Sequence, residues 1–88
     1  MIWLVRLSNN AVRTRRRMSR RDRQRVDAAL LEIEGDPLSG DVVPLRGRYQ
    51  GSFRRRVGDW RIIFTVHREA QPPTVDIDDI LRRTSTTY

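Results

Sequence analysis

Residues 53–66 alternate with a period of two around a central Gly58-Asp59, a pattern that an antiparallel hairpin satisfies and a helix does not. Phe53 and Val57 fall on one parity before the turn, and Arg54 and Arg56 on the other. After it, Trp60, Ile62, Phe64 and Val66 alternate with Arg61, Ile63, Thr65 and His67. A two-residue loop with glycine first predicts the cross-strand pairs Val57 with Trp60, Arg56 with Arg61, Arg55 with Ile62, Arg54 with Ile63 and Phe53 with Phe64. Directly opposed residues share a face. One face therefore carries Phe53, Val57, Trp60, Ile62 and Phe64 and is the side for helices to cover. The other gathers Arg54, Arg56 and Arg61. Arg55 is the misfit on the apolar face, tolerable near an edge from which its stem snorkels to water.

The remaining elements are read around this hairpin. Ile2 to Leu7 is a short apolar run closed by Ser8-Asn9-Asn10 and predicts a strand buried on most of its surface. Ala11 to Arg17 is arginine-rich without a wide apolar stripe, which suits a short solvated helix. Ser19 precedes Asp22 by three residues, a capping pattern, and Val26, Ala29, Leu30 and Ile33 follow at helical spacing until Gly35 and Pro37 stop the run. Asp36 to Gly51, punctuated by Pro37, Gly40, Pro44 and Gly47, is expected to be a connection anchored by Leu38 and Leu45. Arg68 to Pro73 forms a second turn and Thr74 to Leu81 a last strand, with Val75 and Ile77 on one parity and Asp76 and Asp78 on the other. The expected fold is α+β over residues 1–88 as a single domain: an N-terminal strand, two helices, then a three-strand antiparallel meander, with the helices packed on one face of the sheet.

Composition narrows the chemistry. Eighty-eight residues, 38% of them hydrophobic, close one small core. Without cysteine there is no disulfide, thiolate metal site or thiol nucleophile, and one histidine cannot supply a multi-histidine centre. We therefore expect no cofactor and no metal. No apolar run reaches the roughly 20 residues of a membrane span, and Met1 to Leu7 meets arginine too soon for a signal peptide, so no membrane association and a cytoplasmic location are expected. Eighteen basic residues, all arginine, against eleven acidic ones give a net charge of +7, the footprint of a polyanionic or acidic partner. Coding bias alone accounts for the absence of lysine as well as any functional reason does; the charge stands either way. Two guanidinium groups directly across a ladder repel. Either an anionic ligand such as a nucleic-acid phosphate compensates Arg56 and Arg61, or Asp76 and Asp78 neutralise the arginines in a salt-bridge lattice.

The run Leu45-Arg46-Gly47, followed by Ser52-Phe-Arg-Arg-Arg-Val-Gly-Asp-Trp-Arg-Ile-Ile-Phe64, resembles the core signature of the RelE/ParE toxin family of bacterial toxin-antitoxin systems. Arg54, Arg56, Gly58, Trp60 and Arg61 fill the places of that signature. Arg82-Arg83 and the final Tyr88 are similar to the family's terminal basic residue followed by tyrosine.

The resemblance implies a ribosome-dependent endoribonuclease that cuts messenger RNA, held inactive by a cognate acidic antitoxin. In such enzymes the 2′-hydroxyl of the RNA attacks the adjacent phosphate, leaving a 2′,3′-cyclic phosphate. By carry-over Arg61 binds the scissile phosphate, Arg54 and Arg56 position and stabilise it with Arg46 and Arg82 as further phosphate contacts, Arg83 (or Arg82) assists, and Tyr88 takes the proton. A phenol near arginines has its anion favoured, whereas arginine itself is a poor acid or base. Tyr88 as a frayed terminal residue is the bland alternative, and His67, at the far end from the turn, suits a solvent-facing position. The ParE-like branch keeps the fold and inhibits DNA gyrase without cutting RNA, and a basic RNA-binding module without activity is a third reading. The antitoxin segment is expected to lie against the helices and sheet, satisfying the arginines.

Overall fold

The computed structural model describes residues 2–47 and 50–83. The hairpin stands as read. Strand β3 (Ser52–Val57) and strand β4 (Trp60–His67) pair antiparallel with all five of the anticipated partners in register, from Val57 with Trp60 to Phe53 with Phe64. Gly58 has φ +57°, the left-handed first position that a glycine-first turn requires.

Around it the sheet is larger than a three-strand meander. Five strands lie in the order β1-β5-β4-β3-β2, where β1 is Leu4–Leu7, β2 is Val42–Pro44 and β5 is Thr74–Arg82. β2 sits inside the stretch expected to be only a connection and pairs Val43 with Arg54. A three-residue strand shows too few periods to be seen in sequence. β1 is an edge strand, parallel to β5, and Leu4 is 45% exposed, so the expectation of a strand buried on most of its surface fails. Short apolar runs do not announce whether they have one neighbour or two.

Two helices cover one face. Helix α1 (Asn9–Arg17) starts on Ser8, whose Oγ accepts from the Ala11 amide at 3.1 Å and donates to the Asp78 carbonyl at 2.8 Å. Helix α2 (Arg20–Gly35) starts on Ser19, whose Oγ accepts from the Asp22 amide. Their apolar side chains, Ala11, Val26, Ala29 and Ile33, close with Ile62, Phe64, Val75, Ile77 and Ile80 into one core. The helices are tied to each other by Arg15, whose Nε and Nη2 donate to the two oxygens of Asp27 at 2.7 Å each. Among the described residues no helix is long and apolar enough to cross a membrane.

That clamp and a second one make the fold acid-sensitive. The hydrogen bonds from Arg15 hold the Asp27 carboxyl below its ordinary value near 3.8, and those from Arg6 do the same for Asp76. A carboxyl whose pKa is depressed on folding adds stability that is complete above the unfolded value and is lost as pH falls through the folded one. Unfolding free energy is therefore expected to decline below about pH 4, and Asp27→Asn to lower stability at neutral pH while flattening that decline. Urea titrations at successive pH values check the sign.

Arg55 does not snorkel. Its side chain is buried at 8% exposure and its Nη2 donates to Glu32 of α2. Gly40, at φ +80°, lies over the guanidinium so closely that a Cβ there would fall 3.1 Å from Cζ. Glu32 is 59% exposed, so the two partners have unequal stakes in the bond. Removing Glu32 strands a buried cation, and Glu32→Ala is expected to cost about 1–3 kcal/mol. Arg55→Met leaves only a solvated carboxylate behind and is expected to be near neutral. Chemical denaturation of the two variants compares them directly.

Candidate nucleic-acid interface

The face without helices is built by alternation. Arg54, Arg56 and Arg61 share it with Val43, Ile63 and Leu81, since Val43 pairs with Arg54, Arg54 with Ile63, Arg56 with Arg61, and Arg61 with Leu81. Arg56 and Arg61 are a direct cross-strand pair, a like-charge juxtaposition that costs stability in the absence of an anion. Arg54 has a buried Nε with no hydrogen-bond partner among the described residues. Val43 and Leu81 are both exposed, which leaves apolar surface beside the guanidinium groups.

Among the described residues the aspartates of β5 form no ion pair with Arg54 or Arg56. Asp76 accepts from Arg6 at 2.8 Å and 3.2 Å and bonds His67 Nε2 at 2.9 Å, near the far end of the sheet. Asp78 accepts from Thr65 Oγ1 at 2.6 Å, which in turn bonds Ser52 Oγ at 2.9 Å. A bulge between Ile63 and Phe64, which pair with Asp79 and Ile77, leaves Asp78 as the extra residue and puts Asp79 opposite Ile63 on this face. His67 is exposed at the end of β4 away from the turn, as its position suggested.

The remaining candidates divide between faces. Arg82 pairs with Trp60, and its guanidinium lies over the Trp60 ring at 5.6 Å, on the side that faces the helices. Arg83 follows the strand, its amide donating to the Asp59 carbonyl at 2.6 Å, which holds it beside the turn. Arg46 is exposed just after β2, next to the Leu45 amide that bonds the Ser52 carbonyl. Tyr88 lies outside the described residues. Sequence reasoning missed Arg25 of α2. A Cβ at Gly58 would fall 2.8 Å from its Nη2, so this guanidinium rests against the hairpin turn. No spacing in the sequence links positions 25 and 58.

Fold and face together define a small α+β domain, five strands under two helices, that presents a cationic and partly apolar strand surface instead of a cleft. No protein-family model matches the chain, and no curated protein does. Solved structures match over nearly its whole length. A chain of the RelBE2 toxin-antitoxin complex from Mycobacterium tuberculosis is 25% identical with a TM-score of 0.78, covering 94% of this chain and 100% of that one. The archaeal RelE-RelB complex from Pyrococcus horikoshii gives 22% identity and a TM-score of 0.82, covering 98% of this chain and 100% of that one. The isolated E. coli RelE toxin gives 15% and 0.78, covering 97% of this chain and 88% of that one. The chain has the fold of the RelE toxins, and the resemblance read from residues 45–64 extends to the architecture as a whole.

Proposed function

We propose that this chain is the toxin of a toxin-antitoxin system and acts as a ribosome-dependent endoribonuclease on messenger RNA. The observation that carries the reading is the pairing of Arg56 with Arg61, beside Arg54, on the uncovered face of a RelE-type sheet. An electrostatically unfavourable pair in which Arg56 has no ion-pair partner among the described residues supports an anionic ligand as its counter-charge.

The chemistry asked of this face is modest. The 2′-hydroxyl oxygen forms a bond to the adjacent phosphorus, the bond to the 5′-oxygen breaks, and the products are a 2′,3′-cyclic phosphate and a 5′-hydroxyl. Guanidinium groups donate to the non-bridging oxygens and stabilise the charge that builds on the phosphorane. Arg61 binds the scissile phosphate, while Arg54 and Arg56 position it. Alternation along β5 supports Arg83 over Arg82 as the assisting arginine, because Arg82 is stacked on Trp60 on the helix side. Arg46 then binds a phosphate further along the strand. Tyr88 takes the proton from the 2′-hydroxyl, the departing 5′-oxygen takes one up from water, and no metal or cofactor takes part.

The partner that silences it is an acidic antitoxin. Neighbouring structures include complexes of toxins with RelB and YefM, which supports a cognate protein that lies on the basic face. A second reading rests on the likeness to the YoeB/ParE toxin from Agrobacterium tumefaciens, at 14% identity and a TM-score of 0.78: inhibition of DNA gyrase without cleavage.

Translation in a cell-free extract separates the two. Cleaved messenger with 2′,3′-cyclic ends, reduced about 10²–10⁴-fold by Tyr88→Phe, is the expected result. Intact messenger together with inhibited supercoiling would assign the gyrase reading instead.

A further inference from the structure

Past Ile77, strand β5 no longer has β1 as its neighbour, and helix α1 packs against it. Asn10, Arg13, Thr14 and Arg17 stand at i, i+3, i+4 and i+7, one stripe of that helix, while Ala11 is buried and Arg15 is taken by Asp27. Between the stripe and Asp79 of β5 lies a pocket of about 300 Å³, lined by those four side chains and the Asp79 carboxylate. Asp79 is opposite Ile63, and Ile63 is opposite Arg54, so the pocket adjoins the arginine face. Arg61 pairs with Leu81, which makes Asp79 its diagonal neighbour at roughly 7–8 Å. One nucleotide spans that interval. The charges in the pocket do not close on each other. Among the described residues the Asp79 carboxylate accepts from the Ile80 amide alone, at 2.9 Å, Arg13 donates to Asn10 Oδ1 at 3.0 Å, and neither Arg13 nor Arg17 forms an ion pair.

We propose that this pocket receives a guanine nucleotide of the RNA, next to the phosphate on Arg61, with Asp79 reading the base edge and Arg13 and Arg17 holding the outer phosphate. The inference rests on the proposed action on RNA and adds a base preference to it. A carboxylate offers two parallel acceptors and no donor. Of the four RNA bases only guanine presents two adjacent donors, N1–H and the N2 amine, on its Watson–Crick edge. Adenine and cytosine set an amine beside a ring acceptor, and uracil sets one N–H between two carbonyls. The contact with guanine is therefore bidentate and charge-assisted. The same carboxylate selects the class of ligand. An acidic polypeptide brings anions to the arginines but a like charge to Asp79, whereas a nucleotide brings an anion to one wall and donors to the other.

Titration of the purified chain with the four nucleoside 5′-monophosphates, followed by amide NMR shifts, tests this without requiring cleavage. The expected result is saturable shifts at Arg13, Thr14, Arg17 and Asp79 with guanosine monophosphate, bound about tenfold more tightly than the other three. Asp79→Asn keeps an oxygen for the Ile80 amide but exchanges one acceptor for a donor, and is expected to move the preference from guanosine to adenosine. Arg13→Gln combined with Arg17→Gln should weaken all four alike and flatten the salt dependence. Equal affinity for the four, a guanosine preference that survives Asp79→Asn, shifts confined to the hairpin, or shifts of equal strength at these residues from poly-glutamate would overturn the proposal. Mapping the cut sites in a cell-free extract separates it from the reading it rests on. Guanosine binding of this kind with intact messenger supports the pocket and overturns only the nuclease. Cleaved messenger whose base bias at the cut is unchanged by Asp79→Asn overturns the pocket and keeps the nuclease.

Discussion

Replacing Arg61 with alanine is expected to reduce messenger cleavage about 10²–10³-fold, the usual consequence of deleting one donor aimed at charge that develops in a transition state. The loss should fall on kcat as much as on kcat/KM, because the bond to the phosphorane is stronger than the bond to the ground-state phosphate. Arg56→Ala, across the ladder, should cut binding and rate together. Lysine at position 61 is expected to restore only part of the activity, since an ammonium is a point donor and not a planar fork. The control lies in stability. Arg56 and Arg61 are like charges in a direct pair, so Arg56→Ala should leave the unfolding free energy unchanged or raise it by up to about 1 kcal/mol. A variant that loses activity while keeping or gaining stability identifies a residue held in place for its ligand. If Arg56→Ala instead unfolded the protein in proportion to its loss of activity, the arginines would be structural and the interface would have to be sought elsewhere.

The largest stability effect is expected at Phe64. Its side chain is fully buried at the centre of β4, within the core shared by helices and sheet, and stacked on Phe53 at 5.7 Å between ring centroids. Phe64→Ala should cost about 3–5 kcal/mol, and in an 88-residue domain that is a large share of the total. The neighbours cannot readily close the gap. Ile62, Ile77 and Val75 are pinned to strands, and Val26 and Ile33 to a helix that both caps and the Arg15–Asp27 clamp hold in place. Phe64→Leu keeps most of the volume and should cost less than half as much. Urea midpoints with an unchanged m-value would establish that packing is the cause, while a fall in m would point to a change in the unfolded ensemble.

What could be read from the residues follows from how locally each feature is encoded. The hairpin register was legible because a two-residue turn fixes every pair once Gly58 is placed, and the faces of Arg54, Arg56 and Arg61 come with it. Helix α2 was legible from its capping serine and the spacing of Val26, Ala29 and Ile33, whereas Ser8, read as the close of a strand, proves to be the cap of α1. Beyond strand β2 and Arg25, three further features were not. The parallel pairing of β1 with β5 joins residues some 70 positions apart, and nothing in Leu4–Leu7 names its neighbour. Arg55 looked misplaced because its partner, Glu32, lies on another element. The bulge at Ile63 and Phe64 is invisible to simple alternation, and it leaves Asp78 to serve Thr65 while Asp79 takes the place opposite Ile63. Within the site, the alternation that placed Arg61 could not decide between Arg82 and Arg83. The stacking of Arg82 on Trp60 separates them by face.

The order of strands sets when a newly made chain becomes competent. β5 is the last element along the described chain, yet it lies between β1 and β4, so the first strand has no neighbour until the last one has emerged from the exit tunnel. The hairpin of β3 and β4 and the pair of helices can form as they appear, but the sheet stays split and the core lacks Val75, Ile77 and Ile80. The continuous sheet, and the side of the core that β5 supplies, therefore appear together and only with this strand.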